Sequence, residues 1–126
     1  AAAAFDLDQD GDLDLVTNEF NAEPQVLLSD LAQRRKIHFL KILLHGTASN
    51  RNGLGATVRV RAGKRVFTKY NDGKSGYLSQ SVLPLYFGLG DAASIERIEV
   101  DWPSGRKSVL TRGLAINRAV TVSEPR

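Results

Sequence analysis

The 126-residue chain contains no cysteine and no methionine, and it has one tryptophan and four prolines. The lack of cysteine excludes disulfides, thiolate metal sites and thiol catalysis within these residues. The lack of methionine predicts that they derive from a longer protein. No apolar run approaches about 18 residues, and no basic segment precedes an apolar one. Neither a membrane span nor a signal peptide is therefore predicted within the chain.

Basic residues are missing from the first quarter of the sequence. Residues 1–30 contain eight carboxylates and no Lys or Arg, whereas residues 31–126 contain all 17 Lys and Arg and six carboxylates. Opposite charges at the two ends favour docking of the two parts, or head-to-tail contact between copies of the chain.

Five aspartates fall within nine residues, in the motif DLDQDGDLD at 6–14. Carboxylates packed this closely repel one another by about 1–4 kcal/mol per pair at contact distance, depending on the local dielectric. A bound cation would remove this repulsion.

The spacing of these acids is typical of a calcium loop. Calcium loops supply side-chain oxygens from positions 1, 3 and 5 and a carbonyl from position 7, with glycine at position 6. The matching residues are, in order, Asp6, Asp8 and Asp10 for the side chains, Gly11 for the turn and Asp12 for the carbonyl. An EF-hand would need a glutamate at position 12, where Thr17 stands, so Asp14 is predicted to close the ring instead.

The alternatives to calcium are a metal-free acidic turn and a magnesium site. Asp and Gly are ordinary turn residues, and magnesium rarely uses a cage made only of protein ligands. An apolar, strand-like run follows the loop, so we expect a structural Ca²⁺ site between strands. Loops of this kind can bind calcium at about 0.1–1 mM, which favours a secreted or cell-surface location.

The rest of the chain predicts an all-β fold, an antiparallel β-sandwich or open barrel. A short strand at 26–28 is followed by a charged connector at 29–36. Later strands are predicted at 37–45, 56–62, 65–70, 82–87, 98–102, 106–110 and 119–122. Residues 63–64 form the turn of a predicted hairpin. The predicted organisation is a partial blade with the calcium loop at 5–28, the connector at 29–36 and a β domain at 37–124.

Two segments resemble known families. The run FDLDQDGDLDLV at 5–16 resembles the calcium loop of an FG-GAP (VCBS-type) propeller repeat. Residues from about 39 to 124 resemble the ASPIC/UnbV domain. This resemblance rests on LKI at 40–42, NRNGLGA at 50–56, SGYLSQ at 75–80, YFGLG at 86–90 and VDWPSG at 100–105. The pairing implies an extracellular, adhesion-type protein.

A propeller blade needs four strands, and this chain offers the loop with one or two strands. The resemblance therefore implies that an upstream propeller or neighbouring copies complete the sheet, in a homo-oligomer or filament. We interpret the chain as an extracellular calcium-binding structural, adhesion or assembly module without catalytic activity. The motif GLGDAA at 88–93 fits a dinucleotide pattern, but no helix of sufficient length follows it. His38 and His45 are predicted on opposite faces of a strand, and Ser79 and Ser81 have no partner nearby in sequence.

An alternative function uses the basic strands. Arg59, Arg61, Arg65 and Lys69, with Phe67 on the same face as Arg65 and Lys69, can present cations and an aromatic ring to a polyanion. Outside the cell the better ligand is an anionic polysaccharide, and nucleic acid is the less favoured one. Tyr77 and Trp102 are further candidates for stacking on sugars. The competing interpretation is a solvated outer face of a sandwich.

Overall fold

The structure is a computed structural model that describes residues 1–75, 80–82 and 84–126. It confirms the all-β class, with three open sheets and one short helix, and no sheet within the described residues closes into a barrel. The chain divides into two compact units, residues 1–37 with 73–83 and residues 38–72 with 84–126. Across the described ranges, no helix has the length and apolar character needed to cross a bilayer.

The described part of the chain contains ten strands and one helix. They are β1 (Ala2–Phe5), β2 (Asp14–Thr17), β3 (Gln25–Leu27), α1 (Leu31–Arg34), β4 (Phe39–His45), β5 (Thr57–Ala62), β6 (Arg65–Tyr70), β7 (Leu85–Gly88), β8 (Arg97–Asp101), β9 (Lys107–Leu110) and β10 (Arg118–Ser123).

The first unit contains a three-stranded antiparallel sheet in the order β1-β2-β3. Its strands are three or four residues long, and α1 follows β3 as a single turn. Among the described residues of this unit no apolar side chain is buried. The buried residues among those described are Gly11, Asp12 and Asp14. The acidic loop therefore supplies the described interior of this unit.

The second unit packs two sheets around an apolar core. One sheet has the order β10-β4-β7 and the other the order β6-β5-β8-β9. Alternate residues of each strand face inward, among them Leu40, Phe87, Val58 and Ile98, all no more than 1% exposed. Burying each such side chain stabilises the fold by about 1.5–3 kcal/mol relative to leaving it in water. This core holds the unit together.

One strand pair departs from the expected antiparallel pattern. β10 runs parallel to β4, from Arg118 opposite Leu40 to Ser123 opposite His45. Two parallel strands need a long connection between them, and here β5 to β9 lie between β4 and β10 in sequence. This pairing places Glu124, which follows β10, beside the loop that follows β4.

Candidate metal centre

The acid-rich segment forms the connection between β1 and β2, whose register ends with Phe5 opposite Asp14. The backbone takes a positive φ twice within it, at Gln9 (φ 66°) and at Gly11 (φ 100°). A φ of 100° is accessible to glycine and strained for residues with a Cβ atom, so the sixth position of the loop requires Gly11.

Three of the predicted ligands converge. Asp6, Asp8 and Asp14 each place one carboxylate oxygen within 4.8 Å of the others. Calcium binds oxygen at about 2.3–2.6 Å, so two oxygens on one ion lie at most about 5 Å apart. The three carboxylates can therefore hold a single metal ion.

Asp14 is the most firmly positioned of the three. It is 1% exposed, and its carboxylate accepts hydrogen bonds from the backbone N–H of Leu7 (2.7 Å) and of Ser29 (2.8 Å). These bonds, first that from Ser29 and then that from Leu7, lower the pKa of Asp14 below its ordinary value. Asp14 therefore stays ionised and joins the loop to the segment after β3.

Asp10 lies outside the group of three. Its Oδ1 accepts a hydrogen bond from the Asp12 N–H (3.0 Å), and its Oδ2 is buried without a hydrogen-bond partner. The bond from Asp12 lowers the pKa of Asp10, but desolvation and the charges of Asp12, Asp8 and Asp6 together outweigh it, so the pKa is raised. A buried carboxylate oxygen without a donor is unfavourable, and a cation would satisfy it.

The side chain of Asp12 has a role that the sequence did not indicate. It is 2% exposed, and its Oδ2 accepts a hydrogen bond from the Ala32 N–H in α1 (2.8 Å). Its Oδ1 is buried without a hydrogen-bond partner. The carboxylate thus ties the loop to the first turn of α1, while metal ligation by the Asp12 carbonyl stays a prediction.

Residues 46–126, which include β5 to β10, match a protein family described as ASPIC and UnbV. The chain belongs to the ASPIC and UnbV family. The acidic loop lies outside the matched residues, and no FG-GAP repeat is identified in the chain. No curated protein matches the chain.

Within the ASPIC and UnbV part, the five candidate polyanion ligands do not share one face. Arg65, Phe67 and Lys69 pair with Ala62, Val60 and Val58, which point into the core. Directly opposed residues of paired strands share a face, so Arg59 and Arg61, which alternate with these residues on β5, lie on the other face. The structure therefore places Phe67 with Arg65 and Lys69 but does not form a single surface from all five.

Most of the ion pairs on the outer face of this sheet are formed between its own side chains. Asp101 pairs with Arg59 and with Lys107, whose Nζ lies 2.9 Å from Oδ1, and Arg97 pairs with Glu99. The Arg59 hydrogen bond, followed by that of Lys107, lowers the pKa of Asp101, and Asp101 in turn raises the pKa of Arg59. Arg59 is thus already neutralised by a neighbour.

The two stacking candidates have different outcomes. Trp102 is 3% exposed and donates its Nε1–H to the Ser108 Oγ (2.9 Å), so it belongs to the core and is not available to a sugar. Tyr77 and Ser79 lie outside the described residues.

Glu124 is a buried carboxylate of the ASPIC and UnbV domain that sequence reasoning missed. It is 3% exposed, and its Oε2 accepts hydrogen bonds from the N–H groups of Thr47 (2.8 Å), Ala48 (2.9 Å) and Ser49 (2.7 Å). The hydroxyls of Ser49 and Ser104 donate to Oε1. Desolvation raises the pKa of Glu124, but the hydrogen bonds, led by that from Ser104, prevail and lower it to about 2.

Proposed function

We propose that the chain is an extracellular calcium-binding structural, adhesion or assembly module without catalytic activity. The observation that carries this proposal is the approach of Asp6, Asp8 and Asp14 within 4.8 Å in a loop with calcium-type spacing. All ligand groups are oxygens, which suits a hard cation, and the flexible loop suits calcium better than the rigid octahedral shell of magnesium.

The calcium is structural in this proposal. The described residues of the first unit include no buried apolar side chain, so they supply little of the usual stability of a small sheet. A metal that binds the folded loop and not the unfolded chain stabilises the fold directly. The ion would neutralise the acids that meet in the loop and fix β1 against β2.

The extracellular location rests on calcium supply and on the resemblance of residues 5–16 to an FG-GAP loop. Loops of this type can require calcium near 0.1–1 mM, a level maintained outside cells. The same resemblance supports an upstream propeller as the partner of the first unit.

Exposed apolar residues support assembly with such a propeller or with neighbouring copies. β1 and β3 are the edges of the three-stranded sheet, and β3 is exposed throughout. Val26, Leu28 and Phe20 are 55%, 60% and 95% exposed. A sheet edge with apolar neighbours is a ready template for another strand. In this proposal a homo-oligomer or filament forms by strand addition at these edges.

The test of the calcium site is a melting experiment with matched variants. Calcium at about 1–5 mM should raise the melting temperature of the first unit, and a chelator should reverse the rise. Asp8→Asn should abolish the response, as should Asp10→Ala. Glu19→Gln removes one negative charge from an exposed site of the same unit and should leave the response intact. Absence of a shift in the unmodified chain would contradict the proposal.

A second candidate function is binding of an anionic polysaccharide, with nucleic acid as the less favoured polyanion. Its support is a pair of exposed cations, Lys64 and Arg65, that have no ion-pair partner within the described ranges. Retention on immobilised polyuronate that falls steeply with salt, together with weaker retention on single-stranded DNA, would support it. Equal retention on a neutral polysaccharide would contradict it.

A further inference from the structure

A cavity of about 220 Å³ opens in the second unit, where the β5–β6 turn meets the loop after β7. Its apolar wall contains Ala62 and Leu89, each 1% exposed, together with Ala92. Gly63 of the β5–β6 turn also lines it, and a Cβ atom at Gly63 would lie 3.8 Å from the Ala92 Cβ.

The polar lining of the cavity consists of Lys64, Arg65 and Asp91. All three are exposed, and no ion pair involves any of them in the part of the chain that the structure describes. A guanidinium presents a planar fork that matches a carboxylate, and an ammonium adds a second positive charge. Asp91 can only accept hydrogen bonds when ionised, so it suits a hydroxyl group of a ligand and repels a second acid.

We infer that this cavity binds an acidic sugar of the uronate type. Its carboxylate pairs with Arg65 and Lys64, a ring hydroxyl donates to Asp91, and the C–H face of the ring lies against Ala92, the apolar lining residue that is only partly buried. The volume of about 220 Å³ is smaller than the roughly 300–1,000 Å³ of a drug-sized pocket, which suits a ligand of one sugar ring.

The inference rests on the second proposed function and gives it a site and a ligand class. It does not depend on the acidic loop, since all lining residues belong to the second unit. A single ring in an open cavity makes few contacts, so we expect a dissociation constant of about 1–10 mM for one sugar.

The test is an NMR titration of the full chain with D-glucuronate, D-glucose and inorganic sulfate. D-glucuronate should shift the amide signals of Gly63, Lys64, Gly90 and Asp91. D-glucose and sulfate should bind at least tenfold more weakly than D-glucuronate does. Arg65→Gln and Lys64→Gln should each weaken glucuronate binding about tenfold, the effect of one charged hydrogen bond. Arg61→Gln removes the same charge from the opposite face of this hairpin and should change nothing.

A second variant fills the cavity without changing its charge. Ala92→Leu should abolish glucuronate binding while the melting temperature stays within a few degrees of the original. A uronate hexamer separates the two sources of such a sugar. If the hexamer binds more tightly per ring than D-glucuronate does, the ligand is a residue of a polysaccharide. If the affinity per ring is equal, the ligand is a free sugar. Both results support the site.

Three results would overturn the inference. They are equal weakening by Arg61→Gln and Arg65→Gln, sulfate binding as tight as glucuronate, and full binding by a folded Ala92→Leu variant. Polyuronate binding that survives loss of both Lys64 and Arg65 would overturn this site and leave the second proposed function standing. No polyuronate binding by the unmodified chain would overturn both.

Discussion

At the scale of single residues, Glu124 shows how much depends on one buried carboxylate. Its side chain accepts three backbone N–H bonds and two hydroxyl bonds from the 47–49 loop and Ser104. Glu124→Gln replaces one carboxylate oxygen with an NH2 group, which is itself a donor. Some of the N–H and hydroxyl groups around it therefore lose their acceptor. We expect the melting temperature of the second unit to fall by about 5–10 °C in thermal unfolding. Glu23→Gln, at an exposed site, is the control and should have no effect.

Acid titration gives a second test of the same residue. Its pKa is about 2 in the folded chain and 4.5 ordinarily, so the unfolded state binds the proton more tightly. The stabilisation from Glu124 is therefore complete above about pH 4.5 and is lost as the pH falls toward 2. The stability of the unmodified chain should drop across this window more than that of Glu124→Gln. Identical pH profiles in denaturant unfolding would contradict the role of Glu124.

The spacing of residues in the sequence made some of these site residues predictable, whereas others could not be predicted from it. Asp6, Asp8 and Asp14 lie within nine positions, so their alternation alone indicated a shared ion. Asp12 binds the Ala32 N–H 20 residues away, and Glu124 binds donors 75 to 77 residues away. No short-range pattern encodes such partners. The spacing did not show that the carboxylate of Asp10 lies outside the group of Asp6, Asp8 and Asp14, and metal ligation by Asp10 stays a prediction.

At the scale of elements, the two faces of β8 contribute differently to the free energy of unfolding. Ile98 is fully buried, whereas Asp101 forms ion pairs on the partly exposed outer face. Ile98→Ala should cost about 2–5 kcal/mol through lost burial and the cavity that it leaves. Asp101→Asn should cost at most about 1 kcal/mol, and less in high salt, because exposed ion pairs contribute little. Urea unfolding of both variants measures the two losses in the free energy of unfolding. Losses of similar size would contradict this prediction.

The hairpin of β5 and β6 was predictable, and the pairing of β10 was not. Alternation of apolar and basic residues over 57–62, followed by Gly63 and Lys64, indicates two strands and their turn from adjacent residues. β10 pairs with β4 in parallel, about 78 residues away in sequence. Its apolar alternation predicts a strand but carries no information about direction or neighbour. The same limit explains why the candidate cationic surface divides between two faces, since strand register decides which face each side chain takes.

At the scale of the whole molecule, the two units draw on different sources of stability. The second has an apolar core, and the first has buried carboxylates. Calcium should therefore slow amide hydrogen exchange in residues 1–37 and leave β4, β5 and β8 nearly unchanged. Hydrogen exchange followed by mass spectrometry, with and without about 5 mM calcium, measures this directly. Asp8→Asn is the control variant, and protection spread evenly along the chain would contradict the assignment.

The burial of carboxylates rather than apolar side chains among the described residues of the first unit also affects its response to temperature. The heat capacity of unfolding rises with the apolar surface that becomes exposed and falls with the polar surface. Unfolding of the described residues of this unit exposes few apolar groups that were hidden, so their contribution to the heat capacity change is small. The free energy of unfolding of this unit then declines almost linearly on warming, without the curvature that is typical of a domain with an apolar core. Cooling therefore does not lower the stability of this unit.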